Sequence, residues 1–476
     1  MVSAVFKTVG RVEASGGSIP PSSVTLIIMK NNQLSALPQI ETLLQDPGIQ
    51  EYIEGLSRPI VTGIARSTID AIRKAVLSGE SELPPLSEII GQILAACRSV
   101  SRDRLQKVVN ATGVIIHTNM GRAPLVSDVW REAEHINCGY SNLELDIQNG
   151  KRGKRKGLIP SLMSAYIGAE DTLIVNNNAA AVFLMLTAFA KDREVIVSRG
   201  EQVQIGGGFR IPEILDLSGA RLVETGTTNI STLDDYRAAF SERTAMILSV
   251  HRSNFALRGF TSSPSVRELA EIKPEGVLLC VDQGSGVLDE PLPGETSVRS
   301  HLENGADLIS FSGDKVLGGP QAGIIVGSRE LIAVLERHPL MRTFRPGKTV
   351  YSLLEATLVR RLNGGGTTVS GSFSVGKKEL RARGNKILRG MDRRKAFIVE
   401  STFTTGGGSS PDESFPSLSV VLNTETPPTK ILRILRDAKP PIIGTISDDT
   451  VHLNLATIRN DDIPHIREQL HTILGG

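Results

Sequence analysis

A lysine placed among glycines is the first residue whose surroundings suggest chemistry. Lys315 lies in SFSGDKVLGGPQAG, residues 310–323, after an apolar run and before a Gly-Gly-Pro turn. Glycines allow the backbone to approach a ligand closely, and a lysine amine that is kept unprotonated can form a Schiff base with an aldehyde. The alternative is a solvated loop lysine, which is the more common environment for this residue type.

An acid at the end of a second apolar run is the next candidate. Asp282 lies in VDQGSG, residues 281–286, where the run meets a glycine-rich turn. A carboxylate at the buried end of a strand needs a cation or hydrogen-bond donors, because burying it unpaired is costly. The protonated ring nitrogen of a ligand would be such a partner, whereas a turn residue or a helix cap is the structural alternative.

A predicted helix start follows a third apolar run, in VNNNAAAV at residues 175–182. Small side chains at the start of a helix expose backbone N–H groups, and the helix dipole adds positive potential there. A simple asparagine cap is the alternative. The residues that would bind a phosphate group at this helix start are Asn177, Asn178, Ala179 and Ala180.

The order of the three motifs is more informative than any one of them. A phosphate-binding helix start, then an acid, then a lysine after the next strand is the layout of pyridoxal-phosphate enzymes with the aspartate-aminotransferase fold. This order predicts pyridoxal 5′-phosphate bound covalently to Lys315, with Asp282 keeping the ring nitrogen protonated. Lys315 would also move the α-proton of the substrate. Further cofactor-binding candidates, at or just after the ends of predicted strands, are Ser312, His251 and Asn254.

Seven short apolar runs would position these residues. They alternate with helical segments, and continuous apolar runs are typical of parallel strands that are buried on both faces. The carboxyl ends of such strands carry the ligand-binding residues. The sequence therefore predicts an α/β fold with a mostly parallel seven-stranded sheet, whose strands are 171–176, 194–198, 221–224, 244–250, 277–282, 307–312 and 323–327.

Changes in composition divide the chain into four predicted segments. Residues 1–33 are rich in Gly, Ser and Pro and predict a flexible tail. Residues 34–105 show apolar residues at helical spacing, interrupted by prolines, and predict a small helical module. Residues 106–345 contain the predicted strands of a large domain, and residues 346–476 predict a smaller α/β domain.

The composition of the whole chain limits its class. The 476 residues include 53 Lys or Arg and 51 Asp or Glu, a net charge of +2. This balance excludes a globally basic nucleic-acid coat protein but allows a local basic patch. The three cysteines lack paired spacing, so we expect no disulfide framework, no cysteine-based zinc site and no other metal. Because no apolar run reaches the length of a membrane span, a cytoplasmic protein is expected.

Long motifs in a fixed order make the chain similar to the bacterial selenocysteine synthases, the L-seryl-tRNA(Sec) selenium transferase family. The resemblance extends from Leu34 to about Ile458. It implies a pyridoxal-phosphate-dependent transferase of fold type I, with Lys315 as the cofactor lysine and Asp282 as the partner of the ring nitrogen. The motifs are VVNATGVIIHTNMGRAPL (108–125), GYSNLELD (139–146), VNNNAAAV (175–182), VSRGEQVQIGGGFRIPEI (197–214), VETGTTN (223–229), VHRSNFALRGFT (250–261), FSGDKVLGGPQAGIIVG (311–327) and EATL (355–358).

The resemblance also implies an activity and partners. Members of this family convert L-seryl-tRNA(Sec) to L-selenocysteinyl-tRNA(Sec) by β-elimination of the serine hydroxyl and addition of selenium from selenophosphate. The helical module would bind the tRNA, and the subunits would form a homo-oligomer, a ring of dimers that makes a decamer. Arginines suit an anionic selenium donor, and the substrate-binding candidates are Arg342, Arg345 and Arg122.

Some positions depart from the family's pattern. KRGKRKGL (151–158) replaces a Ser-Arg-Tyr-Ser-His stretch, and Gln204 stands where a Glu is usual. Thr445 and Ala456 occupy positions where the family tends to have Arg, and GTTVSGSFS (366–374) lacks a Leu-Arg pair. The loss of arginines could weaken the binding of an anionic donor or of the tRNA backbone.

Two other functions therefore stay open. The first is a pyridoxal-phosphate-dependent lyase or aminotransferase that acts on a small amino acid or amino sugar. The loss of arginines favours this function. The helical module argues against it, because an enzyme with a small substrate has no need of such a module. The second is a catalytically diverged tRNA-binding protein, against which the presence of both Lys315 and Asp282 argues. The basic run at residues 151–156 likewise allows either contacts with tRNA phosphates or a solvated loop.

Overall fold

The computed structural model describes residues 34–205, 208–410 and 412–475. The chain divides between Gln106 and Lys107 into two compact units. The predicted tail, residues 1–33, lies outside the described residues. Within the described ranges, no helix combines the length and the apolar character that crossing a membrane requires.

The first unit is helical, as the sequence predicts. The helical stretch breaks just before Pro47 and Pro59, and each proline lies in the first turn of the next helix, where no backbone N–H is needed. Asp46 caps the helix at Pro47 by accepting hydrogen bonds from the backbone N–H groups of Gly48 (2.9 Å) and Ile49 (3.2 Å). The apolar faces form one core. The helices are α1 (Ile40–Leu43), α2 (Pro47–Leu56), α3 (Arg58–Ser78) and α4 (Leu86–Arg102).

The second unit alternates strands and helices. Its strands are β1 (Val109–Asn110), β2 (Val114–Ile116), β3 (Asp171–Val175), β4 (Glu194–Ser198), β5 (Gln204–Ile205), β6 (Phe209–Arg210), β7 (Arg221–Thr225), β8 (Thr244–Val250), β9 (Leu278–Gly284), β10 (Leu308–Ser312), β11 (Gly323–Gly327), β12 (Ala396–Gly406), β13 (Phe415–Leu422), β14 (Ile442–Ile443), β15 (Thr445–Ser447) and β16 (Thr450–Asn454). Its helices are α5 (Ser127–Cys138), α6 (Ile159–Ile167), α7 (Asn178–Phe189), α8 (Ile211–Ser218), α9 (Leu233–Ala239), α10 (Val266–Ile272), α11 (Val298–Glu303), α12 (Arg329–Arg337), α13 (Met341–Phe344), α14 (Lys348–Leu362), α15 (Thr368–Ser374), α16 (Lys377–Ile387), α17 (Pro428–Asp437) and α18 (Ile463–Leu474).

All seven predicted strands are present and form one sheet. Its order is β3-β11-β10-β9-β8-β4-β7. β11 runs antiparallel to both of its neighbours, β10 and β3, and the remaining pairs are parallel. The prediction of a mostly parallel seven-stranded sheet is therefore confirmed.

Both faces of this sheet are covered, because successive side chains of a strand point to opposite sides. On one face, Val197 and Leu248 belong to a core that includes side chains of α7. On the other face, Ile309 and Ile324 belong to a core built with α6 and α14. Burial on both sides explains why these strands are continuous apolar runs in the sequence.

A second sheet has the order β15-β16-β13-β12-β2. β2 runs parallel to β12, with Val114 opposite Thr404 and Ile116 opposite Gly406. The chain thus departs from the predicted division into 106–345 and 346–476. β2, predicted in the large domain, lies in the smaller sheet, and α14, predicted in the small domain, packs in the core of the large sheet. A three-residue strand carries no local signal of its partner, so tertiary contacts decide where it pairs.

Candidate active site

Lys315 and Asp282 lie together near the carboxyl ends of β10 and β9. Both residues are buried, with 9% and 7% of their surface exposed, and so is Ser312 at the end of β10. A Cβ atom at Gly284 would be 3.8 Å from Asp282 Oδ1 and 3.9 Å from Lys315 Nζ. Gly284 has φ +69°, a conformation that favours glycine. The structure therefore brings together the lysine and the acid that the sequence predicts as a pair.

Side chains from two other elements hold the Asp282 carboxylate. Asn178 Nδ2 donates a hydrogen bond to Oδ1 at 2.7 Å, and Ser310 Oγ donates to the same oxygen at 3.5 Å. Burial raises the pKa of Asp282, although the hydrogen bond from Asn178 and the charge of Lys315 act in the opposite direction. A cation that binds beside this buried carboxylate would therefore stabilise its charged form.

The loop of Lys315 carries an ion pair. Arg122 Nη1 lies 3.0 and 3.1 Å from the two carboxylate oxygens of Asp314. Burial lowers the pKa of Lys315; Asp282 and Asp314 raise it, and the charge of Arg122 lowers it. The net lowering leaves more of the amine unprotonated near neutral pH, as Schiff-base chemistry requires. Arg122, predicted to bind substrate, thus influences the lysine electrostatically.

The two asparagines at the start of α7 have different partners. Asn177 caps the helix, because its side-chain oxygen accepts a hydrogen bond from the Ala180 N–H at 2.9 Å. Asn178 instead holds Asp282. The helix start lies against β11, where a Cβ atom at Gly323 would be only 2.1 Å from the backbone oxygen of Asn177. Glycine at 323 therefore allows the helix start, with Ala179 and Ala180, to approach the sheet.

We expect Gly323→Ala to displace the start of α7 and, with it, the asparagine that holds Asp282. Because the added methyl group overlaps backbone atoms, the free energy of unfolding should fall by about 1–3 kcal/mol and cofactor affinity should decrease. Urea unfolding and cofactor titration by absorbance measure the two effects. Gly371→Ala is the control, because among the described residues no atom outside its chain neighbours and its own helix backbone lies within 4 Å of its Cβ position. Equal losses in both variants would contradict the packing argument.

His251 and Asn254 both follow β8 but have different surroundings. The His251 backbone N–H donates to the Asp282 backbone oxygen at 3.0 Å, and His251 Nε2 lies 3.1 Å from Glu295 Oε1. Asn254 is exposed, and its side-chain amide donates to the Gln204 backbone oxygen at 2.8 Å. The structure therefore groups His251 with Asp282 and gives Asn254 a hydrogen bond in another loop.

Arg342 and Arg345 line a cleft beside β3, the edge strand of the large sheet. The cleft has a volume of about 650 Å³, and neither Lys315 nor Asp282 lines it. Within one chain, the structure does not place these two arginines with the buried lysine. Basic side chains outnumber acidic ones in this lining, where Arg152, Lys154, Arg155, Arg337, Arg342 and Arg345 lie with Glu144 and Glu336. Arg345 Nη1 lies 3.2 Å from Glu144 Oε1.

The basic run at residues 151–156 is partly tied to acids of the same unit. Arg155 Nη2 lies 2.7 Å from a Glu144 carboxylate oxygen. Lys156 Nζ lies 2.6 Å from Glu336 Oε1, and 15% of its side chain is exposed. Arg155 and Lys156 therefore form ion pairs with acids of the same unit. The sequence analysis left open that residues 151–156 are a solvated loop, and these two side chains do not fit that alternative.

Several polar groups of the site have little or no signal in the sequence. Glu295 lies in the loop between β9 and α11, and its carboxylate accepts hydrogen bonds from Ser285 Oγ and from the Ser410 N–H. Ser310, on β10, lies opposite Asp282, on β9, in the parallel pairing of these two strands. Asp314 has one signal, its position next to Lys315. Acids and serines are common in loops, and only the folded chain determines which of them are buried together.

Comparison with known proteins identifies the family. Residues 108–459 match L-seryl-tRNA selenium transferase, and residues 34–73 match the selenocysteine synthase N-terminal family. The L-seryl-tRNA(Sec) selenium transferase of Geobacter metallireducens is 40% identical over 456 residues, which cover 92% of this chain and 98% of the relative. The one from Carboxydothermus hydrogenoformans is 36% identical over 457 residues, covering 93% and 98%. This chain belongs to the L-seryl-tRNA selenium transferase family.

A solved structure supports the fold of this selenium transferase chain. D-Glucosaminate-6-phosphate ammonia-lyase aligns with a TM-score of 0.57 over 82% of this chain and 98% of its own, at 20% identity. At that identity the likeness concerns the fold alone. The fold is that of pyridoxal-phosphate-dependent transferases of fold type I, as predicted, and family and fold together imply pyridoxal phosphate as the cofactor.

The residues around Asp282 fit that cofactor. The buried carboxylate would be neutralised by a protonated ring nitrogen. Asn178 Oδ1 is buried and has no hydrogen-bond partner within the part of the chain that the structure describes, so it can accept a bond from a ligand. Gly284 has no side chain, and a Cβ atom there would contact both the acid and Lys315. The site thus offers an acid, a free acceptor and an amine at the strand ends.

The positions that the sequence analysis expects to depart from the family's pattern lie in different surroundings. Ala456 is buried in an apolar cluster, so an arginine there would require repacking. Thr445 is exposed on β15. Thr368–Ser374 form α15. Gln204 accepts a hydrogen bond from Arg210 Nε at 2.8 Å. None of these positions contributes a hydrogen bond to the described Lys315–Asp282 pair.

Proposed function

We propose that this protein converts L-seryl-tRNA(Sec) to L-selenocysteinyl-tRNA(Sec). The serine would lose its α-proton and its β-hydroxyl, and selenium from selenophosphate would add at the β-carbon. The observation that carries the proposal is the buried pair of Lys315 and Asp282 at the strand ends of a chain that belongs to this family.

Lys315 and Asp282 would hold the cofactor from two sides. Pyridoxal phosphate, when bound, supplies an electron sink that eases the removal of a substrate α-proton. Asp282, oriented by Asn178, would keep a proton on the ring nitrogen. Lys315 would bond covalently to the cofactor aldehyde and later accept the α-proton, a role that its lowered pKa favours near neutral pH. Ser312 and His251 stay predicted cofactor contacts.

Backbone N–H groups and arginines would bind the anionic groups. The first turn of α7, at Ala179 and Ala180, would bind the cofactor phosphate. Arg122, beside Lys315, and the pair Arg342 and Arg345 would bind the selenium donor, because guanidinium groups make charge-assisted hydrogen bonds to such anions. The basic lining of the cleft supports the assignment of the last two.

The assembly and the tRNA belong to the same proposal. Residues 34–105 would bind the tRNA, which the match of residues 34–73 to the family's N-terminal region supports. Arg342 and Arg345 line a cleft that does not include Lys315, so arginines of a neighbouring subunit would have to complete each site. A neighbouring subunit fits the ring of dimers, a decamer, that the resemblance to the family implies, and we propose this assembly in the cytoplasm.

Arg342→Ala should raise the KM for selenophosphate by about 30- to 100-fold, because one charge-assisted hydrogen bond to the donor is lost. The visible absorption of the bound cofactor should not change. Steady-state kinetics with varied selenophosphate measure the effect. Arg394→Ala is the control, since Arg394 is exposed and pairs with Asp392 at 2.8 Å. An unchanged KM in Arg342→Ala would contradict the assignment.

Product analysis separates the proposed function from its two alternatives. Cofactor-loaded, full-length protein is incubated with seryl-tRNA(Sec) and selenophosphate, and the amino acid released from the tRNA is identified by mass spectrometry. Selenocysteine on the tRNA supports the proposal. Unchanged serine on the tRNA, together with turnover of free amino acids or amino sugars, would favour the lyase or aminotransferase. Binding of tRNA by a protein that takes up no cofactor would favour the diverged tRNA-binding protein.

A further inference from the structure

An arginine that is almost completely buried, Arg361, contacts the loop of the proposed cofactor lysine. It lies on α14, and 6% of its side chain is exposed. Its Nη1 donates a hydrogen bond to the backbone oxygen of Leu317 at 3.0 Å. Leu317 is itself fully buried and lies two residues after Lys315. A charged donor from a distant part of the chain therefore contacts the backbone beside Lys315.

The contacted backbone is a tight turn, residues 315–318. The Gly318 N–H donates to the Lys315 backbone oxygen at 2.9 Å and closes the turn. Gly318 has φ +74°, and a Cβ atom there would be 2.7 Å from the Cβ atom of Thr367. Because glycine backbones are conformationally permissive, Gly318 and Gly319 give the turn little rigidity of their own. Its position therefore depends on contacts with neighbouring elements.

Contacts on two sides hold this turn. The Val316 N–H donates to the Ser285 backbone oxygen at 3.0 Å, which ties the turn to the chain just after β9, the strand of Asp282. On the other side, the bond from Arg361 fixes the peptide group between Leu317 and Gly318. The guanidinium is ionised, so this bond is charge-assisted and stronger than a bond between neutral groups.

The Arg361 guanidinium is in turn held by two side chains. It forms an ion pair with Glu290, in the loop after β9. Its Nη2 donates to Tyr166 Oη, on α6, at 3.3 Å, and its central carbon lies 5.6 Å from the centre of the Tyr166 ring. Tyr166 Oη also donates to Glu290 Oε1 at 3.2 Å. A planar guanidinium can serve an acid and a backbone oxygen at once, which the single ammonium of a lysine does less well.

We propose that Arg361 is a positioning residue for Lys315: its hydrogen bond to Leu317 fixes the turn 315–318 and thereby the position from which the lysine amine acts. Groups that react with one another must be held about 3–3.5 Å apart, so a displaced turn would slow every step that uses this amine. The chemical role rests on the proposed function. The rigidity of the turn is a property of the chain without cofactor, and it can be measured separately.

Hydrogen exchange tests the rigidity of the turn. Full-length, cofactor-free protein is exchanged in deuterated water, and the peptide that covers residues 315–319 is followed by mass spectrometry. Arg361→Lys keeps a positive charge for Glu290 but loses the planar fork that also reaches Leu317. We expect exchange in this peptide to accelerate by about 10- to 100-fold, as the loss of one hydrogen bond from a charged group implies. Peptides of β8 and β9 should exchange as in the wild type.

The bound cofactor provides a spectroscopic test of the positioning role. In Arg361→Lys the lysine amine is still present, so the visible band should form after pyridoxal phosphate is added. It should form about tenfold more slowly, because the amine is less well placed. The visible circular dichroism per bound cofactor should also decrease, since it depends on how the cofactor is held. A general loss of stability would change the amount of folded protein but not this ratio.

Arg383→Lys is the matched control. Arg383, on α16, has 12% of its side chain exposed, and it likewise contacts an acid and a backbone oxygen. Its Nη2 lies 2.7 Å from Glu379 Oε1, and its Nη1 donates to the Ile458 backbone oxygen at 3.1 Å. These contacts belong to the part of the unit around the smaller sheet. The variant should leave the exchange of residues 315–319 and the visible circular dichroism unchanged.

Two further variants separate the bond to Leu317 from the ion pair. Glu290→Gln leaves Arg361 able to donate to Leu317, so it should accelerate the exchange of the turn much less than Arg361→Lys. The double variant Arg361→Gln with Glu290→Gln leaves neither charge buried without its partner and should accelerate it as Arg361→Lys does. If Arg361→Lys does not fold, the double variant decides the question.

The outcomes are distinct. Wild-type exchange of the turn or wild-type circular dichroism in Arg361→Lys would overturn the inference. Equal effects in Arg383→Lys would overturn it as well, and so would an equal acceleration in Glu290→Gln, which would assign the effect to the ion pair. A wild-type protein that takes up no pyridoxal phosphate would instead overturn the proposed function, while the exchange experiment would still measure what Arg361 does to the turn.

Discussion

Lys315→Ala is expected to abolish the visible absorption of the cofactor-loaded protein and to lower kcat by about 10³- to 10⁴-fold. The amine is buried within reach of Gly284 and Asp282. Alanine removes the group that would bond to the cofactor aldehyde and, with it, the group that would move the α-proton. Absorbance spectra and single-turnover conversion of seryl-tRNA(Sec) measure the two losses separately.

An exposed lysine provides the control for this variant. Lys377 forms a 2.8 Å ion pair with Glu400 near the smaller sheet, with 48% of its side chain exposed. Lys377→Ala should keep both the visible band and the activity, because exposed ion pairs contribute little. If Lys315→Ala kept the visible band, another amine would have to carry the cofactor and the assignment of Lys315 would be wrong.

Asp282→Asn is expected to lower kcat by about a thousandfold, which corresponds to about 4 kcal/mol. Asparagine can still contact Asn178, but it carries no charge and cannot hold a proton on the ring nitrogen. The cofactor-free variant should be at least as stable as the wild type, because it no longer buries a carboxylate. Kinetics and thermal unfolding should therefore change independently or in opposite directions. Parallel losses of activity and stability would indicate a structural role for Asp282.

The pH dependence of stability gives a second readout for Asp282. Burial raises its pKa in the folded, cofactor-free protein above the value in the unfolded chain. The folded state then binds a proton more readily, so the contribution of Asp282 to stability falls as the pH rises through its folded pKa. Asp282→Asn should remove this part of the pH dependence. Denaturant unfolding at a series of pH values, compared between the two proteins without cofactor, would show it.

The strands of the large sheet and the Lys315–Asp282 pair could be predicted because their signals are local. Strands buried on both faces must be apolar throughout, and this requirement is visible in runs such as residues 244–250. The order of helix start, acid and lysine is a property of the chain itself. The helical character of residues 34–105 could also be predicted, and its interruptions lie just before Pro47 and Pro59, in the first turns of new helices.

What the sequence by itself determined is the fold class, the large sheet and the two residues that we propose for the chemistry. Only the tertiary structure decided that β2 lies in the smaller sheet, that Arg342 lines a cleft without Lys315, and that Glu295 contacts His251. The physical reason is distance along the chain. Periodicity and caps act over a few residues, whereas partners of buried charges and of short strands come from loops that only the folded topology brings together.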